Sequence, residues 1–323
     1  MGNDKERFGI LLMPGFPMAS VASALDVLAL ANYVAEDELY AWSTLSPDGQ
    51  DVLSMNGLRS LVDHALTHAP EFDTVIVCCG LGGHRHKTPA VLSWLRERHA
   101  RGTRVGATST GSWLLARSGL LHGRRCTVHW EDLDAFRETF PDLRVTSEIF
   151  EVDGRIFTCS GGTSIIDLML SFVATRHGAD LATAVSEQLI HGPYRSKSTN
   201  QRPGIDERIG ITDPMLVKAV ATMEAELHSP LPVAQIAKMT GVSSRHLERL
   251  FRKHLGQTPQ LFYRELRLRQ ARSLLRSSDL PVSDVAYSLG FSTPSYFAKC
   301  YFELFGLLPR DERSRLPLFE VIE

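Results

Sequence analysis

Apolar positions in the first 190 residues fall into short continuous runs separated by longer stretches with helical spacing. FGILLM (Phe8–Met13), AWSTLS (Ala41–Ser46), DTVIVCC (Asp73–Cys79), TRVGAT (Thr103–Thr108) and RIFTCS (Arg155–Ser160) read as strands. The three-to-four-residue period appears over Met18–Val34, Thr88–His99, Gly111–Ser118, Glu131–Thr139, Ser164–His177 and Asp180–Leu189, which predicts helices there. A run as continuously apolar as TVIVCC suits a parallel strand covered on both faces. The alternation therefore predicts an α/β doubly wound parallel-sheet domain over residues 1–190. Ligands in such folds bind at the carboxyl ends of the strands. That rule places Gly15, Gly80-Leu81-Gly82-Gly83, Ser109-Thr110 and Ser160-Gly161-Gly162 around one crevice.

The pattern then changes. HGPYRSKSTNQRPGIDERIG (His191–Gly210) is polar, Pro/Gly-punctuated and without period, and residues 191–212 are expected to form an interdomain linker. From Asp213 to the end, 213–323, the pattern is entirely helical and repeats itself. LPVAQIAKMTGVSSRHLERLFRKHLGQTP (Leu231–Pro259) parallels LPVSDVAYSLGFSTPSYFAKCYFELFGLLP (Leu280–Pro309). Pro232, Val233, Ala237 and Gly241 match Pro281, Val282, Ala286 and Gly290; after one inserted residue, Leu247, Phe251, Gly256 and Pro259 match Phe297, Tyr301, Gly306 and Pro309. Each copy is a short helix, a glycine turn and a second helix entered through a cap, Ser243 or Ser244 in one and Thr293 before Pro294 in the other. This predicts an all-α domain with two helix-turn-helix motifs. In the first copy, Leu247, Leu250, Phe251 and Leu255 make the buried stripe and leave Arg245, His246, Arg249 and Arg252 outward, where base edges and phosphates can be reached.

Charge sharpens this division. The net charge is −2, yet residues 211–310 carry 13 Lys and Arg against 8 Asp and Glu, and residues 241–276 carry 9 against 2. Residues 1–210 hold 20 against 25. An acidic body joined to a basic module points to a polyanion partner, with a solvated helix face as the alternative. Five cysteines without CxxC spacing read as buried reduced thiols of a cytoplasmic protein. The charged N-terminus is unlike a secretory signal, and no membrane-spanning run is expected.

The helical module resembles the DNA-binding domain of AraC/XylS-type transcription activators. The resemblance rests on IAKMTGVSSRHLERLFRKHLGQTP, RLRQARSLL and VAYSLGFSTPSYFAKCYFELFGLLP. It implies that helices beginning near Ser244 and Thr293 enter successive major grooves of double-stranded promoter DNA. Contacts are expected from Ser244, Arg245, His246, Arg249, Arg252 and Lys253, then Thr293, Ser295, Tyr296 and Lys299. Phe302 and Glu303 stand where that family usually keeps basic residues, which shifts the expected contacts toward the first copy. The first domain resembles the ThiJ/PfpI, glutamine-amidotransferase-like fold, in the version fused to an AraC-type domain. It does so through MPGFPMASVASALDVL, VIVCCGLGG, GATSTGSWLLARSGLLHGRRCTVHW and FTCSGGTSIIDLML.

In catalytic members of that fold the elbow holds a cysteine, and the turn after the first strand holds a carboxylate. Ser109 and Ser20 stand at those positions here. A serine hydroxyl needs an adjacent base to attack, and His129, in the matching CTVHW segment, has no matched carboxylate to orient it. The elbow is therefore expected to survive as an effector pocket formed by Gly15, Ser20, Gly80, Gly82, Ser109, Thr110, His129 and Gly161, able to take an anion at a helix N-terminus. His84 and His86 lack a third ligand in sequence, so neither metal nor cofactor is expected. Trp42, Trp113 and Trp130 read as core positions, or else as a cage for a cation. Asp26 and Asp167 read as capping or interface partners.

The resulting expectation is a ligand-responsive transcription regulator, an activator and homodimer that works with RNA polymerase. The resemblance suggests effectors from nitrogen catabolism, an amino acid or a quaternary amine. The alternatives are a ThiJ/PfpI-type hydrolase or hydratase with an accessory DNA-binding domain, and an architectural DNA-binding protein without a ligand.

Overall fold

The computed structural model describes residues 5–80, 82–86 and 88–312. The chain divides into two compact units, one running to Gln201 and the other beginning at Arg202.

In the first unit the apolar runs become strands and the periodic stretches become helices. They follow as β1 (Glu6–Leu12), α1 (Met18–Ala35), β2 (Tyr40–Ser46), then short β3 (Val52–Leu53), β4 (Arg59–Ser60) and β5 (His64–Ala65). Next come β6 (Thr74–Cys79), α2 (Pro89–Ala100), β7 (Arg104–Ser109), α3 (Ser112–Arg117), β8 (Arg125–Cys126) and α4 (Leu133–Thr139). The unit closes with β9 (Arg144–Val145), β10 (Phe150–Asp153), β11 (Ile156–Cys159), α5 (Ser164–His177) and α6 (Ala179–Gln188). Seven strands form one sheet in the order β10-β11-β7-β6-β1-β2-β5, parallel throughout except for the β10–β11 hairpin. Each of the six residues of β6 is buried, as its unbroken apolar run requires.

Helix α1 corrects one expectation. Its 18 residues are long and apolar enough to cross a membrane by composition alone. Val21, Ala24, Val27, Leu28 and Ala31 are instead buried in the core cluster that includes Leu168, Phe172 and Val185 of α5 and α6. The low polarity of α1 is thus accounted for by burial within the α/β layer.

Residues 191–201, expected to belong to the linker 191–212, are bound to the first unit. Asp167, fully buried on α5, accepts from the Arg195 backbone N–H at 2.5 Å and from its Nε and Nη2 at 3.0 and 2.7 Å. Gln201 Nε2 donates to Thr127 Oγ1 and to the Val128 and Glu148 carbonyls at 2.9–3.0 Å. The tie is one of specific polar contacts, which a periodicity search does not register.

The second unit is entirely helical: α7 (Ile205–Ile209), α8 (Pro214–Ala225), α9 (Val233–Thr240), α10 (Ser244–Leu255), α11 (Pro259–Ser277), α12 (Val282–Ser288) and α13 (Pro294–Phe305). Ser243 Oγ and Thr293 Oγ1 each accept a backbone N–H three residues on, both at 3.2 Å, so Ser243 is the cap and Ser244 the first helical residue. Leu216, Val220, Ile236, Leu247 and Phe251 share one core, where α8 packs on the first helix-turn-helix.

The unit closes on one buried carboxylate. Glu312 accepts from Arg272 Nε at 3.0 Å, Arg276 Nε at 2.6 Å and the Tyr301 hydroxyl at 2.8 Å. Burial alone would raise its pKa, but the Tyr301, Arg272 and Arg276 hydrogen bonds outweigh that and hold it below the ordinary carboxylate value. A lowered carboxyl pKa contributes stability above the unfolded value, about 4.3, that is lost as pH falls through the folded one. Glu312→Gln is expected to cost the helical unit about 2 kcal/mol near neutral pH, with the deficit shrinking below pH ~4. Urea unfolding followed at both pH values checks this; an equal deficit at each would contradict it.

Candidate functional site

Two regions gather the functional candidates: the crevice at the carboxyl ends of β6 and β7, and the exposed faces of α10 and α13.

The crevice is built by register. Parallel pairing of β6 with β7 ends at Cys79 opposite Ser109, so Gly80 and Thr110 leave the sheet side by side. The Thr110 hydroxyl donates to the Gly80 carbonyl, a buried bond that ties the two turns together. Ser109 itself has φ +58°, one of three non-glycine residues with positive φ among those described. That conformation strains an L residue and is how a strand-to-helix elbow lifts its side chain out of the sheet. Glycines permit the close approaches around it. A Cβ on Gly80 would run into the Gly15 carbonyl, and one on Gly161 would lie 2.8 Å from Ser109 Cβ. Ser20, almost wholly buried, donates from Oγ to the Gly162 carbonyl at 3.3 Å. Gly15, Gly80, Thr110, Ser109, Gly161 and Ser20 thus form one connected set, with Gly82 in the turn beyond Gly80.

His129 stands apart from that set. Its Nδ1 lies 3.9 Å from Glu131, and among the described residues no hydrogen bond joins it to Ser109. Burial lowers its pKa, partly offset by Glu131, which favours the neutral ring. The neighbouring thiols offer no nucleophile either: burial pushes Cys79 up to about 12 and Cys159 to about 11. The helix expected to face an anion, α3, has only six residues and so carries a weak dipole. Among the described residues no group of three or more His, Cys, Asp and Glu could hold a metal ion. His84 of the suspected pair is buried, its ring 5.9 Å from that of Trp113.

A buried carboxyl that the sequence did not single out lies beside the crevice. Asp132 precedes α4 and is 6% exposed. Burial pushes its pKa up to about 7, reinforced by Glu131 and opposed by the Trp113 indole. Only the fold could identify it, because Asp132 sits in a polar turn and its partner Trp113 comes from α3. The three tryptophans do not form a cage: Trp113 is core, and Trp42 and Trp130 are partly exposed.

On the helical unit, Ser244, Arg245, Arg249, Arg252 and Lys253 are exposed on α10, and His246 is half-buried. Leu247, Leu250 and Phe251 fill the opposite face. On α13, Ser295, Tyr296 and Lys299 are exposed, as is the capping Thr293. Helix α11, which carries five of the nine basic residues of 241–276, is largely committed internally. Arg264 Nη1 reaches the Tyr296 hydroxyl at 3.5 Å, Arg267 Nη1 reaches the Leu289 and Gly290 carbonyls, and Arg272 and Arg276 hold Glu312.

Comparisons with known proteins decide what this pair of units is. The DJ-1/PfpI family profile matches residues 10–175, and a helix-turn-helix domain profile matches 236–315. The chain is 44% identical over 313 residues to the HTH-type transcriptional regulator CdhR of Pseudomonas aeruginosa, covering 97% of this chain and 93% of that protein. It is also 42% identical to GbdR of the same species, covering 97% of this chain and 85% of the other. The chain belongs to the AraC family of HTH-type transcription regulators that carry a DJ-1/PfpI domain. Its first unit is similar to a crystal structure of an AraC family regulator from Pseudomonas putida, with 32% identity, a TM-score of 0.53, and coverage of 57% of this chain and 99% of that one. As a family member it is a DNA-binding regulator rather than an enzyme.

The raised pKa of Asp132 gives a pH-dependent prediction. A carboxyl raised in the fold stabilises below its unfolded pKa, near 4, and that contribution is lost as pH rises through about 7. Asp132→Asn is expected to raise the melting temperature at pH 8 by about 3–6 °C and to leave it almost unchanged at pH 4. Differential scanning fluorimetry across that range checks the sign; a destabilised variant at pH 8 would contradict it.

Proposed function

We propose that this regulator is a cytoplasmic, homodimeric activator whose first unit binds a small metabolite at the Ser109 crevice. The second unit places α10 and α13 in promoter DNA and acts with RNA polymerase. The observation that carries the effector reading is Ser109 itself. The chain retains a strained φ of +58° there and packs Gly161 against it, while among the described residues no base is hydrogen-bonded to Ser109 and the Cys79 thiol is held protonated. Strain kept without chemistry is consistent with selection for a shaped binding site. For the ligand class we infer an amino acid or quaternary amine of nitrogen catabolism, since the Glu131 carboxylate and the Trp130 ring beside His129 are groups that suit a cation.

Gly161→Ala tests the effector site, because even a Cβ there meets Ser109 Cβ at 2.8 Å on a backbone at φ +92°, so the wall at Ser109 must shift. Wild-type protein is expected to show melting shifts with betaines, carnitine-like amines or amino acids. The variant should lose those shifts while keeping its DNA affinity. Shifts that persist unchanged in the variant would place the ligand elsewhere.

Sequence reading is assigned to Arg245 and Arg249, one turn apart on the exposed face of α10. An arginine paired with guanine discriminates by about 1–3 kcal/mol. Arg245→Ala and Arg249→Ala are therefore expected to weaken a selected operator far more than a scrambled duplex. Lys253→Ala should weaken both alike and flatten the salt dependence. Equal losses on the two duplexes for the arginine variants would move the recognition face off α10.

A further inference from the structure

Two recognition helices read one stretch of DNA together only when the spacing and rotation between them match successive turns of the groove. Here α10 and α13 belong to separate helix-turn-helix copies joined by α11. A single connecting helix fixes the distance between two bodies but leaves their rotation about its axis to side-chain contacts. Those contacts form a seam. His228 Nδ1 lies 3.2 Å from the Ser288 carbonyl. Pro230, just before the first copy, packs on the turn of the second at Gly290, where φ is +71° and an added Cβ would lie 2.5 Å from Pro230 Cγ.

Arg267 projects from α11 into this seam. Its Nη1 donates to the Leu289 and Gly290 carbonyls at 3.2 and 3.3 Å, the acceptors left open where α12 ends. The guanidinium carbon lies 4.8 Å from the centre of the Phe291 ring and 5.5 Å from that of Tyr263. Phe291 packs edge-on against Phe297 of α13, so one ring belongs to the second recognition helix's own core. Tyr263 belongs to the first copy's core and donates its hydroxyl to the Glu226 carbonyl at 2.7 Å. A cleft of about 310 Å³, bordered by Pro230, Tyr263 and Gly290, runs beside the guanidinium. The arginine is therefore the polar bridge across a loosely filled seam. Only a planar fork can stack on rings while donating to two carbonyls; an ammonium cannot reproduce it.

We propose that Arg267 is a positioning residue that fixes α13 relative to α10 and so sets the spacing between half-sites that the protein accepts. Its charge serves this bridge instead of a phosphate. The proposal rests on both helices reading DNA, the reading given above.

The test uses the full chain and an operator selected from random duplexes with the wild-type protein, remade with one, two or three base pairs inserted between its half-sites. Each insertion rotates one half-site by about 35°. Wild type is expected to lose about tenfold or more per inserted pair. Arg267→Gln and Arg267→Met, by reducing the population of the correct arrangement to about a tenth, should bind the parent operator about tenfold more weakly. They should also discriminate the inserted duplexes by less than about threefold, because a loosened seam lets either rotation form. Scrambled-duplex affinity should stay at the wild-type level, and Arg267→Lys should behave as Arg267→Gln does. Wild-type spacing selectivity in these variants would overturn the proposal.

Gly290→Ala opens the same seam from the other side and decides the matter if the arginine variants fail to fold. Nitroxide pairs at the exposed Glu248 and Glu303, measured without DNA, give an independent reading. The distance distribution is expected to broaden in the seam variants, and a distribution as narrow as wild type would count against the proposal. A protein that reads only one half-site would show itself separately, as wild-type indifference to every insertion.

Discussion

The parallel pairing of β6 with β7, ending at Cys79 opposite Ser109, is the constraint on which the first unit's site depends. Parallel strands end together at one edge of the sheet, so both turns must leave it at the same level and within a few ångströms of each other. The Thr110-to-Gly80 bond and the close approaches at Gly80 and Gly161 follow from that placement. Side chains larger than hydrogen at either glycine would separate turns that the ladder holds together. Ser109 takes its positive φ because the chain must turn there from a buried strand into α3.

The same unit shows how a catalytic frame can persist without its chemistry. The elbow, its glycine walls and the turn after β1 are all present, yet Ser20 spends its hydroxyl on a backbone carbonyl and His129 is directed toward Glu131. The thiols nearby are buried and protonated. Asp132, a buried carboxyl near this elbow, comes from a turn outside the motifs that carried the resemblance.

In the helical unit, charge and function separate in a way that composition hides. Nine basic residues in 36 look like one continuous phosphate-binding surface. The fold divides them. Those on α10 are exposed to solvent, whereas Arg267, Arg272 and Arg276 of α11 satisfy carbonyls and a buried carboxylate. Arginine is suited to both tasks because its stem packs on rings while its fork donates.

The order and type of nearly all major elements were legible in the chain. An unbroken apolar run announced β6, strand-like runs announced β1 and β7, and helical spacing bounded α5 where it lies at Ser164–His177. The 49-residue repeat disclosed both helix-turn-helix copies, with the Thr293 cap and with Ser243 or Ser244 as the other, which the fold resolves to Ser243. These signals are local, carried by period and by capping chemistry within a few residues. The β10–β11 hairpin, the tie of Arg195 to Asp167, the burial of Asp132 and the Arg267 bridge were not legible. The hairpin is local, but its four-residue strands are too short for a period to show. The Arg195 tie and the Arg267 bridge join residues 20 or more positions apart, and Asp132 is buried by packing that other segments supply. A single sequence records which residues can bond; only the tertiary structure decides which of them meet.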